Sequence, residues 1–302
     1  MTRFVDGPVH VSVPATSANL GPGFDSLGLA LDLRDELSAE VVASGLEVVV
    51  EGMGAADVPR DETHLVVRSM RAALGLMGAE PPGLRLTCRN VVPHARGLGS
   101  SSAAIVAGVS LARALVAGGS LLIDDDALFR LAAEIEGHPD NVAPAFYGGF
   151  VISGHDDEGF YAVTSPVDPR VGAVVLVPPT PLSTEVARGL LPAAVPHADA
   201  AADAGRTALL VAALASQPEQ LLRATRDYLH QDYRRPAMPD SVALVDVLRA
   251  DGVPAVVSGA GPTVLAFAEA GRPAAVRAVL DRAPRGWEAS YVAVDRDGVR
   301  VS

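Results

Sequence analysis

The segment at residues 93–104 carries the residue types best suited to chemistry, in the order PHARGLGSSSAA. An alternating apolar pattern over residues 84–89 predicts a strand before it, and a nearly uncharged apolar run predicts a helix over residues 100–116 after it. The serines therefore fall at a helix N-terminus, where unpaired backbone N–H groups and the positive end of the helix dipole favour an anion. The glycines let a phosphate approach the backbone, and a serine hydroxyl can bind a phosphate-associated Mg²⁺ ion. The pattern predicts a phosphate-binding loop.

The two most familiar phosphate-binding motifs do not fit this loop. The chain contains no lysine, whereas a Walker loop requires a lysine after its last glycine. A dinucleotide-binding fingerprint requires a third glycine at the position where Ser102 stands. We therefore expect a different phosphate-binding architecture.

Three other segments combine turn-forming residues with side chains that could bind or react. Residues 14–26, PATSANLGPGFDS, are expected to form a long loop between two strands. Residues 134–144, EIEGHPDNVAP, end a predicted helix in carboxylates, an imidazole and an amide. Residues 258–263, SGAGPT, predict a tight turn between two apolar runs. Each segment taken alone also fits an ordinary role, with His138 as a surface or capping residue, Asp140 as an N-cap and the third segment as a hairpin turn.

The order of the predicted elements indicates an α+β protein of two domains. The N-terminal part is rich in strands and also holds three clear helices, whereas strands and helices are mixed after residue 171. The clearest predicted elements of the N-terminal part are strands at 9–13, 27–33, 37–43, 46–51 and 84–89 and helices at 64–77, 100–116 and 125–136. A chain of 302 residues is long enough for two packed domains. The stretch 166–169, which has a proline at each end, is the predicted boundary between domains at 1–166 and 167–302.

Composition and charge narrow the class of protein and of partner. The net charge of −12 argues against nucleic acid or an anionic membrane as the main partner, although a local arginine-lined site could still attract an anionic ligand. The single Cys88 lies in a predicted strand and cannot form an internal disulfide, which fits a reducing compartment. The first six residues lack the apolar core of a signal peptide, and no apolar run reaches the roughly 18 residues expected of a membrane span. The expectation is a cytoplasmic protein whose main partner is neither nucleic acid nor a membrane.

Four motifs in this order resemble the GHMP kinases, named for galactokinase, homoserine kinase, mevalonate kinase and phosphomevalonate kinase. The motifs are PATSANLGPGFDSLGLAL at 14–31, GLGSSSAA at 97–104, EGHPDNVAP at 136–144 and SGAGPT at 258–263. The resemblance implies an N-terminal domain like domain 2 of ribosomal protein S5 and a ferredoxin-like C-terminal domain, with the substrates between them. The first and third motifs match the homoserine-phosphorylating branch best. They imply ATP-dependent conversion of L-homoserine to O-phospho-L-homoserine, a step towards threonine.

The resemblance also implies ATP and Mg²⁺ as cofactors. It places the ATP phosphates at Pro93, Arg96, Gly97, Leu98, Gly99, Ser100, Ser101, Ser102 and Ala103. The implied metal ligands are the Ser101 hydroxyl and the Glu134 carboxylate, and oxygen ligands of this kind suit Mg²⁺. Glu136 lies two residues further on, and helical phase does not separate the two glutamates. The choice of Glu134 therefore depends on the resemblance.

The implied substrate carries an ammonium, a carboxylate and a primary hydroxyl. Asp25 is chemically suited to the ammonium, and Arg188 and Arg234 to the carboxylate, which a planar guanidinium binds through two parallel hydrogen bonds. Arg235, the residue next to Arg234, has the ordinary interpretation of a solvated surface arginine. The full set of implied substrate-binding residues is Asn19, Asp25, His138, Thr184, Arg188, Arg234, Gly259 and Gly261.

His138, Asp140 and Asn141 are the implied catalytic residues at the hydroxyl end of the substrate. Asp140 either takes the hydroxyl proton as a base or only helps to position the hydroxyl. We favour positioning, because phosphoryl transfer asks little covalent work of the protein. Two other functions stay open, namely another kinase of the family acting on threonine or mevalonate, and a non-catalytic sensor that binds ATP and a ligand. The oligomeric state, with a homodimer among the options, and feedback inhibition also stay open.

Overall fold

The computed structural model describes residues 3–302, and within them the chain forms two β-sheets. The first sheet contains seven strands: β1 (Val9–Asn19), β2 (Gly23–Val41), β3 (Gly45–Gly52), β4 (Gly83–Asn90), β5 (Phe150–Asp156), β6 (Gly159–Ser165) and β11 (Arg300–Val301). The strand order is β11-β1-β2-β4-β3, and β5 pairs with a separate part of β2 and with β6. All of these pairs are antiparallel except β3 with β4, which is parallel.

Five helices follow the chain through this part of the molecule: α1 (Leu65–Leu76), α2 (Ser100–Leu115), α3 (Gly119–Leu122), α4 (Asp125–Glu136) and α5 (Val142–Tyr147). The central helix is α2, which contacts α1, α4, α5 and β1. It is apolar on nearly all sides, which is the pattern of a helix enclosed by other elements. The helix predicted at 125–136 is confirmed as α4, and the Asp124 carboxylate caps its N-terminus by accepting a hydrogen bond of 2.8 Å from the Ala127 N–H.

The second sheet is antiparallel and contains β7 (Val171–Val177), β8 (Ala255–Val257), β9 (Val264–Glu269) and β10 (Glu288–Val292) in the order β10-β7-β9-β8. The helices of this part are α6 (Thr184–Gly189), α7 (His197–Ala215), α8 (Leu221–Ala224), α9 (Pro239–Ala250) and α10 (Pro273–Leu280). Short 3₁₀ helices lie at Pro218–Gln220 and Arg235–Ala237. Nearly every residue of β7 is buried, because α9 and α10 cover one face of this sheet and α7 with part of β2 covers the other.

The two sheets are joined through a shared apolar core and a backbone connection. Leu29 of β2 and Val175 of β7 belong to one buried cluster with Leu210 of α7. Leu31 forms an antiparallel bridge with Val294, just beyond β10. The two parts of the chain are therefore packed against each other along β2.

Two sequence-based expectations are wrong in detail. Residues 14–26 do not form a long loop, because β1 runs to Asn19 and β2 begins at Gly23, leaving a three-residue turn. The small side chains of this segment serve close packing, and those at 15–18 are all fully buried. The strands predicted at 27–33 and 37–43 are one continuous strand, β2, whose pairing register with β1 shifts beside Pro14.

The chain crosses from the first sheet to the second between Ser165 and Val171, beside the predicted boundary. It later returns to the first sheet, where β11 pairs with β1. The division into 1–166 and 167–302 stays a prediction. Within residues 3–302, no helix is both long enough and apolar enough to cross a membrane.

Candidate active site

Two glycines shape the turn that leads into α2. Gly97 and Gly99 have φ angles of +74° and +68°, a left-handed conformation that glycine adopts without strain. A Cβ on Gly99 would lie 1.9 Å from the Thr16 hydroxyl oxygen, and a Cβ on Gly97 would lie 2.3 Å from the Ser258 carbonyl oxygen. The absence of side chains therefore lets the turn touch β1 on one side and the 258–263 turn on the other.

The first turn of α2 meets the end of α4 through a carboxylate. The hydroxyls of Ser101 and Ser102 donate hydrogen bonds of 2.6 Å and 2.7 Å to the same oxygen of Glu136. Glu134 is exposed on α4 and does not line the cavity at this site. Of the two glutamates, it is Glu136 that lies against the serines, and the choice of metal ligand stays a prediction.

Two hydrogen bonds hold the side chains of the segment that follows α4. His138 Nδ1 lies 2.8 Å from a carboxylate oxygen of the buried Asp140, and the Thr16 hydroxyl donates a 2.8 Å bond to Asn141 Oδ1. Burial of His138 opposes its protonation, but the hydrogen bond to Asp140 and the charges of Asp140 and Glu136 outweigh burial and raise the pKa of His138. Within residues 3–302 the Asn141 amide nitrogen has no protein partner, so it can donate to a ligand.

Arg234 is a buried cation at the opposite end of the site. Only 1% of its surface is exposed, and its polar contacts are the Ala187 and Gly259 carbonyls and His230 Nδ1, at 3.3, 3.2 and 3.0 Å. Within residues 3–302 it forms no ion pair with a carboxylate. Burial, followed by repulsion from Arg188, lowers the pKa of Arg234 to about 10. An arginine in this state favours an anionic ligand strongly.

His230 fixes the direction of the Arg234 guanidinium. Its Nε2 lies 2.8 Å from the Gly21 carbonyl oxygen, which can only accept, so Nε2 carries the proton and Nδ1 accepts from Arg234. Burial lowers the pKa of His230, which agrees with this neutral form.

Asp25 and Arg188 form a two-bond ion pair across the site. The guanidinium donates bonds of 2.9 Å and 2.7 Å to the two carboxylate oxygens. Asp25 itself has a φ of +52°, and its N–H donates a 2.9 Å bond to Asn19 Oδ1. Both arginines also contact the Phe24 ring, with the guanidinium carbons of Arg188 and Arg234 at 5.6 Å and 5.4 Å from its centroid.

The 258–263 turn locks these parts together. The Ser258 hydroxyl donates a 2.6 Å bond to the Gly97 carbonyl, and the Asn19 amide donates a 2.9 Å bond to the Gly259 carbonyl. The Gly259 N–H also donates to the Ala18 carbonyl at 3.0 Å. The turn of the second sheet is thus hydrogen-bonded both to the glycine turn before α2 and to the end of β1.

Most of the predicted site residues line one cavity of about 260 Å³. Those that line it are Asn19, Asp25, Gly97, Gly99, Ser100, Ser101, His138, Asp140, Asn141, Thr184, Arg188, Arg234, Gly259 and Gly261, together with Glu136. Those that do not are Pro93, Arg96, Leu98, Ser102, Ala103 and Glu134. Arg96 donates its guanidinium hydrogen bonds to the carbonyls of His94, Pro178 and Pro179, and Leu98 is buried in the shared core. These contacts give both residues a structural role in joining the two parts of the chain.

A second cavity of about 260 Å³ adjoins the first at Ser100 and Ser101. Its lining was not predicted from the sequence and includes Asp35, Leu37, Val58, Pro59, Thr63, His64, Leu65, Val66, Cys88, Asn90, His94 and Ala104. His64 is 5% exposed, and among residues 3–302 its Nδ1 atom has no hydrogen-bond partner. No spacing or motif in the sequence pointed to these residues, because they come from four separate segments that meet only in the folded chain.

Comparison with known proteins places the chain in a family. The description "GHMP kinases N terminal domain" matches residues 64–149, and "GHMP kinases C terminal" matches residues 209–286. The chain belongs to the GHMP kinases. The expected two-domain fold of mixed helices and sheets is thereby confirmed, and a GHMP kinase uses ATP as its co-substrate.

Individual relatives of this GHMP kinase are similar over nearly the whole chain. It is 54% identical to the homoserine kinase of Streptomyces coelicolor, across 97% of this chain and 94% of that protein. It is 51% identical to the homoserine kinase of Clavibacter michiganensis subsp. michiganensis, across 97% of this chain and 93% of that protein. The crystal structure of homoserine kinase from Cytophaga hutchinsonii superposes with a TM-score of 0.86 at 26% identity and covers 99% of both chains.

Proposed function

We propose that this GHMP kinase transfers the γ-phosphoryl group of ATP to the hydroxyl of L-homoserine. The observation that carries the proposal is the buried Arg234, which has no carboxylate partner within residues 3–302 and lines the same cavity as the N-terminus of α2. One end of the cavity thus favours the carboxylate of a small molecule, and the other favours phosphate. The names of the relatives support the same substrate.

The amino-acid end of the cavity offers a partner for each charge of homoserine. Arg234 and Arg188 bind the carboxylate, and Asp25 binds the ammonium. The Phe24 ring, which both guanidiniums contact, stabilises the two cations through cation–π interactions. Mevalonate has no ammonium, so Asp25 favours an amino-acid substrate over that alternative.

The phosphate end is built from the first turn of α2. Its unpaired N–H groups and the two glycines of the turn before it receive the ATP phosphates, since the chain has no lysine to do so. The largely apolar second cavity shares Ser100 and Ser101 with the first and receives the nucleoside. An ATP molecule placed in this way runs from the second cavity towards the substrate hydroxyl.

The donors beside α2 also fit a magnesium ion. Within residues 3–302, no cluster of three or more His, Cys, Asp or Glu side chains is arranged to hold a metal. The Ser101 hydroxyl and the Glu136 carboxylate, 2.6 Å apart, would hold Mg²⁺ together with phosphate oxygens, which suits an ion that usually takes one or two protein oxygens. When bound, Mg²⁺ neutralises phosphate charge during transfer.

The residues after α4 orient the substrate hydroxyl. Thr16 fixes the Asn141 amide, and the free N–H groups of that amide donate to the hydroxyl oxygen. Asp140 is hydrogen-bonded to His138, and the raised pKa of His138 favours its protonated form beside that carboxylate. A carboxylate held in this way positions the His138 ring, so we favour positioning over proton abstraction by Asp140.

An ADP-release assay with L-homoserine, L-threonine, L-serine, mevalonate and shikimate tests the proposal, with ³¹P NMR to identify the product. We expect turnover with homoserine to exceed all the others. Arg234→Lys keeps the charge but loses the planar pair of donors, so KM for homoserine should rise by about tenfold or more while KM for ATP stays the same.

The matched control is Arg235→Lys, because Arg235 is a partly exposed neighbour paired with Asp232 and Asp246. It should leave both KM values unchanged. Preferred turnover of mevalonate, or equal KM values for homoserine in the two variants, would contradict the proposal.

A further inference from the structure

The Asp25–Arg188 ion pair occupies the two groups that must bind the two charges of the substrate. Both oxygens of the carboxylate and both terminal nitrogens of the guanidinium are used in this pair. The two side chains are 36% and 37% exposed, so a ligand in the cavity can reach both. In the form described here, the ammonium site and the carboxylate site neutralise each other.

The two members of the pair differ in how firmly they are held. Asp25 lies in β2 with a left-handed backbone, and its N–H is bonded to Asn19, which in turn is bonded to Gly259. Arg188 reaches the pair through a long side chain from the six-residue helix α6. Opening of the pair is therefore a movement of the guanidinium away from a fixed carboxylate.

The charges of the site show what opening of the pair requires. The cavity holds two guanidiniums, Arg188 and Arg234, and the carboxylate of Asp25 is bonded to the first of them. The nearby Asp140 carboxylate is bonded to His138, and within residues 3–302 Arg234 has no ionic partner. A ligand with one negative charge can take Arg188 only by leaving Asp25 without a partner. A ligand with both charges gives Asp25 an ammonium and gives Arg188 a carboxylate, so neither member of the opened pair is left without a partner.

We propose that the Asp25–Arg188 pair is a specificity device that a zwitterion opens by exchange and that disfavours ligands able to replace only one member of the pair. This inference rests on the proposed function, since it takes the ammonium to bind at Asp25 and the carboxylate at Arg188. Discrimination against a ligand without an ammonium then has two sources. One is the contact that the ligand fails to make, and the other is the contact that it breaks in the protein.

Two analogues of homoserine separate these sources. 4-Hydroxybutanoate has the carboxylate and the hydroxyl but no ammonium, and 3-aminopropan-1-ol has the ammonium and the hydroxyl but no carboxylate. Their Kd values, and that of homoserine, are measured by calorimetry on the full chain, so the result does not depend on turnover. The variants are Asp25→Asn and Arg188→Gln, with Asp232→Asn as a control that removes one member of an exposed ion pair elsewhere.

Asp25→Asn releases Arg188 before any ligand binds. We expect it to raise the Kd of homoserine by about tenfold and to lower the Kd of 4-hydroxybutanoate by about threefold or more. Arg188→Gln releases Asp25, so it should raise the Kd of homoserine and lower the Kd of 3-aminopropan-1-ol by similar factors. Asp232→Asn should change none of the three Kd values.

The outcomes distinguish the exchange from the proposed function beneath it. If both variants weaken homoserine but neither tightens its matching analogue, the exchange is overturned while the assignment of the two charges stands. If homoserine binds the variants as it binds the parent protein, the assignment itself fails. The two variants report independently, so loss of folding in one still leaves a decisive result from the other.

Discussion

At the scale of single residues, two glutamates on one helix show how little separates a site residue from a surface residue. α4 ends at Glu136, and Gly137 follows with a φ of +88°. The Glu136 carboxylate accepts from both Ser101 and Ser102, whereas Glu134 is exposed. The sequence could not separate the two, because the answer depends on where the N-terminus of α2 lies against the end of α4.

We expect Glu136→Gln to lower kcat by about a hundredfold and to raise the Mg²⁺ concentration needed for half-maximal activity, because it removes a charged oxygen ligand. Glu134→Gln is the matched control on the same helix and should change neither quantity by more than about twofold. The measurement is the initial rate against Mg²⁺ concentration. A large change in these quantities for Glu134→Gln, together with a small change for Glu136→Gln, would show that Glu134 is the metal ligand.

At the scale of secondary-structure elements, the approach of β1 to α2 depends on one position. Gly99 precedes the first residue of α2 in a left-handed conformation, and the Thr16 hydroxyl occupies the space that a side chain would need. The same hydroxyl holds Asn141, so the glycine, the strand and the amide form one packed unit. A change at Gly99 therefore acts on stability and on the orientation of Asn141 together.

We expect Gly99→Ala to destabilise the protein through both backbone strain and crowding, and Gly118→Ala is the control that introduces the strain alone. Gly118 has a φ of +79° before α3, and the nearest atom to an added Cβ is 3.9 Å away. Gly118→Ala should cost about 1 kcal/mol of unfolding free energy from backbone strain alone and keep kcat. Gly99→Ala should cost a further 1–3 kcal/mol or so from crowding and lose most of the activity. Urea denaturation with kcat on both variants tests this, and equal costs would show that Thr16 yields freely.

The elements that could be predicted are those in which one signal dominates. The helix predicted at 125–136 has the bounds of α4, because an acidic cap precedes a clear helical repeat of apolar residues. The strand at Val171–Val177 is an almost unbroken apolar run. The prediction for the segment at 14–26 was wrong, because small and turn-forming residues are typical of a loop. In the folded chain the small residues at 15–18 instead allow close packing at full burial. The four motifs identified most of the cavity lining, but the second cavity has no local signature.

At the scale of the whole molecule, the site lies where two sheets share a core. Leu29 and Val175 are packed in the same cluster, and the 258–263 turn of the second sheet is bonded to residues of the first. These contacts join positions about 160 to 240 residues apart in the chain. No periodicity or composition could have predicted which turn meets which strand.

Asp203 of α7 makes the stability of the molecule depend on pH. It is 3% exposed, and burial, with the nearby charge of Asp227, raises its pKa to about 6 despite the hydrogen bond from the Tyr228 N–H. Its ordinary pKa of 3.8 applies to the unfolded chain. Between these values the folded state binds more protons than the unfolded state, so the contribution of Asp203 to stability falls as pH rises from about 4 to 6.

Asp203→Asn keeps the acceptor for Tyr228 and cannot ionise. We expect it to raise the free energy of unfolding at pH 7 by roughly 1 kcal/mol and to flatten the change of Tm between about pH 4 and 6. Asp157→Asn, at an exposed turn between β5 and β6, should leave the pH profile as it is. Thermal melts across this range decide the matter, and a less stable Asp203 variant at pH 7 would show that the folded protein depends on the charged form.

The hydrogen bond from Ser258 to the Gly97 carbonyl gives the kinase a thermodynamic property of its own. In the proposed function, the turn before α2 faces phosphate and the 258–263 turn faces the amino acid. Because the two turns are directly bonded, we expect a ligand that shifts one of them to act on the other. If bound nucleotide changes the affinity for homoserine by some factor, bound homoserine changes the affinity for nucleotide by the same factor, because coupling free energy is reciprocal.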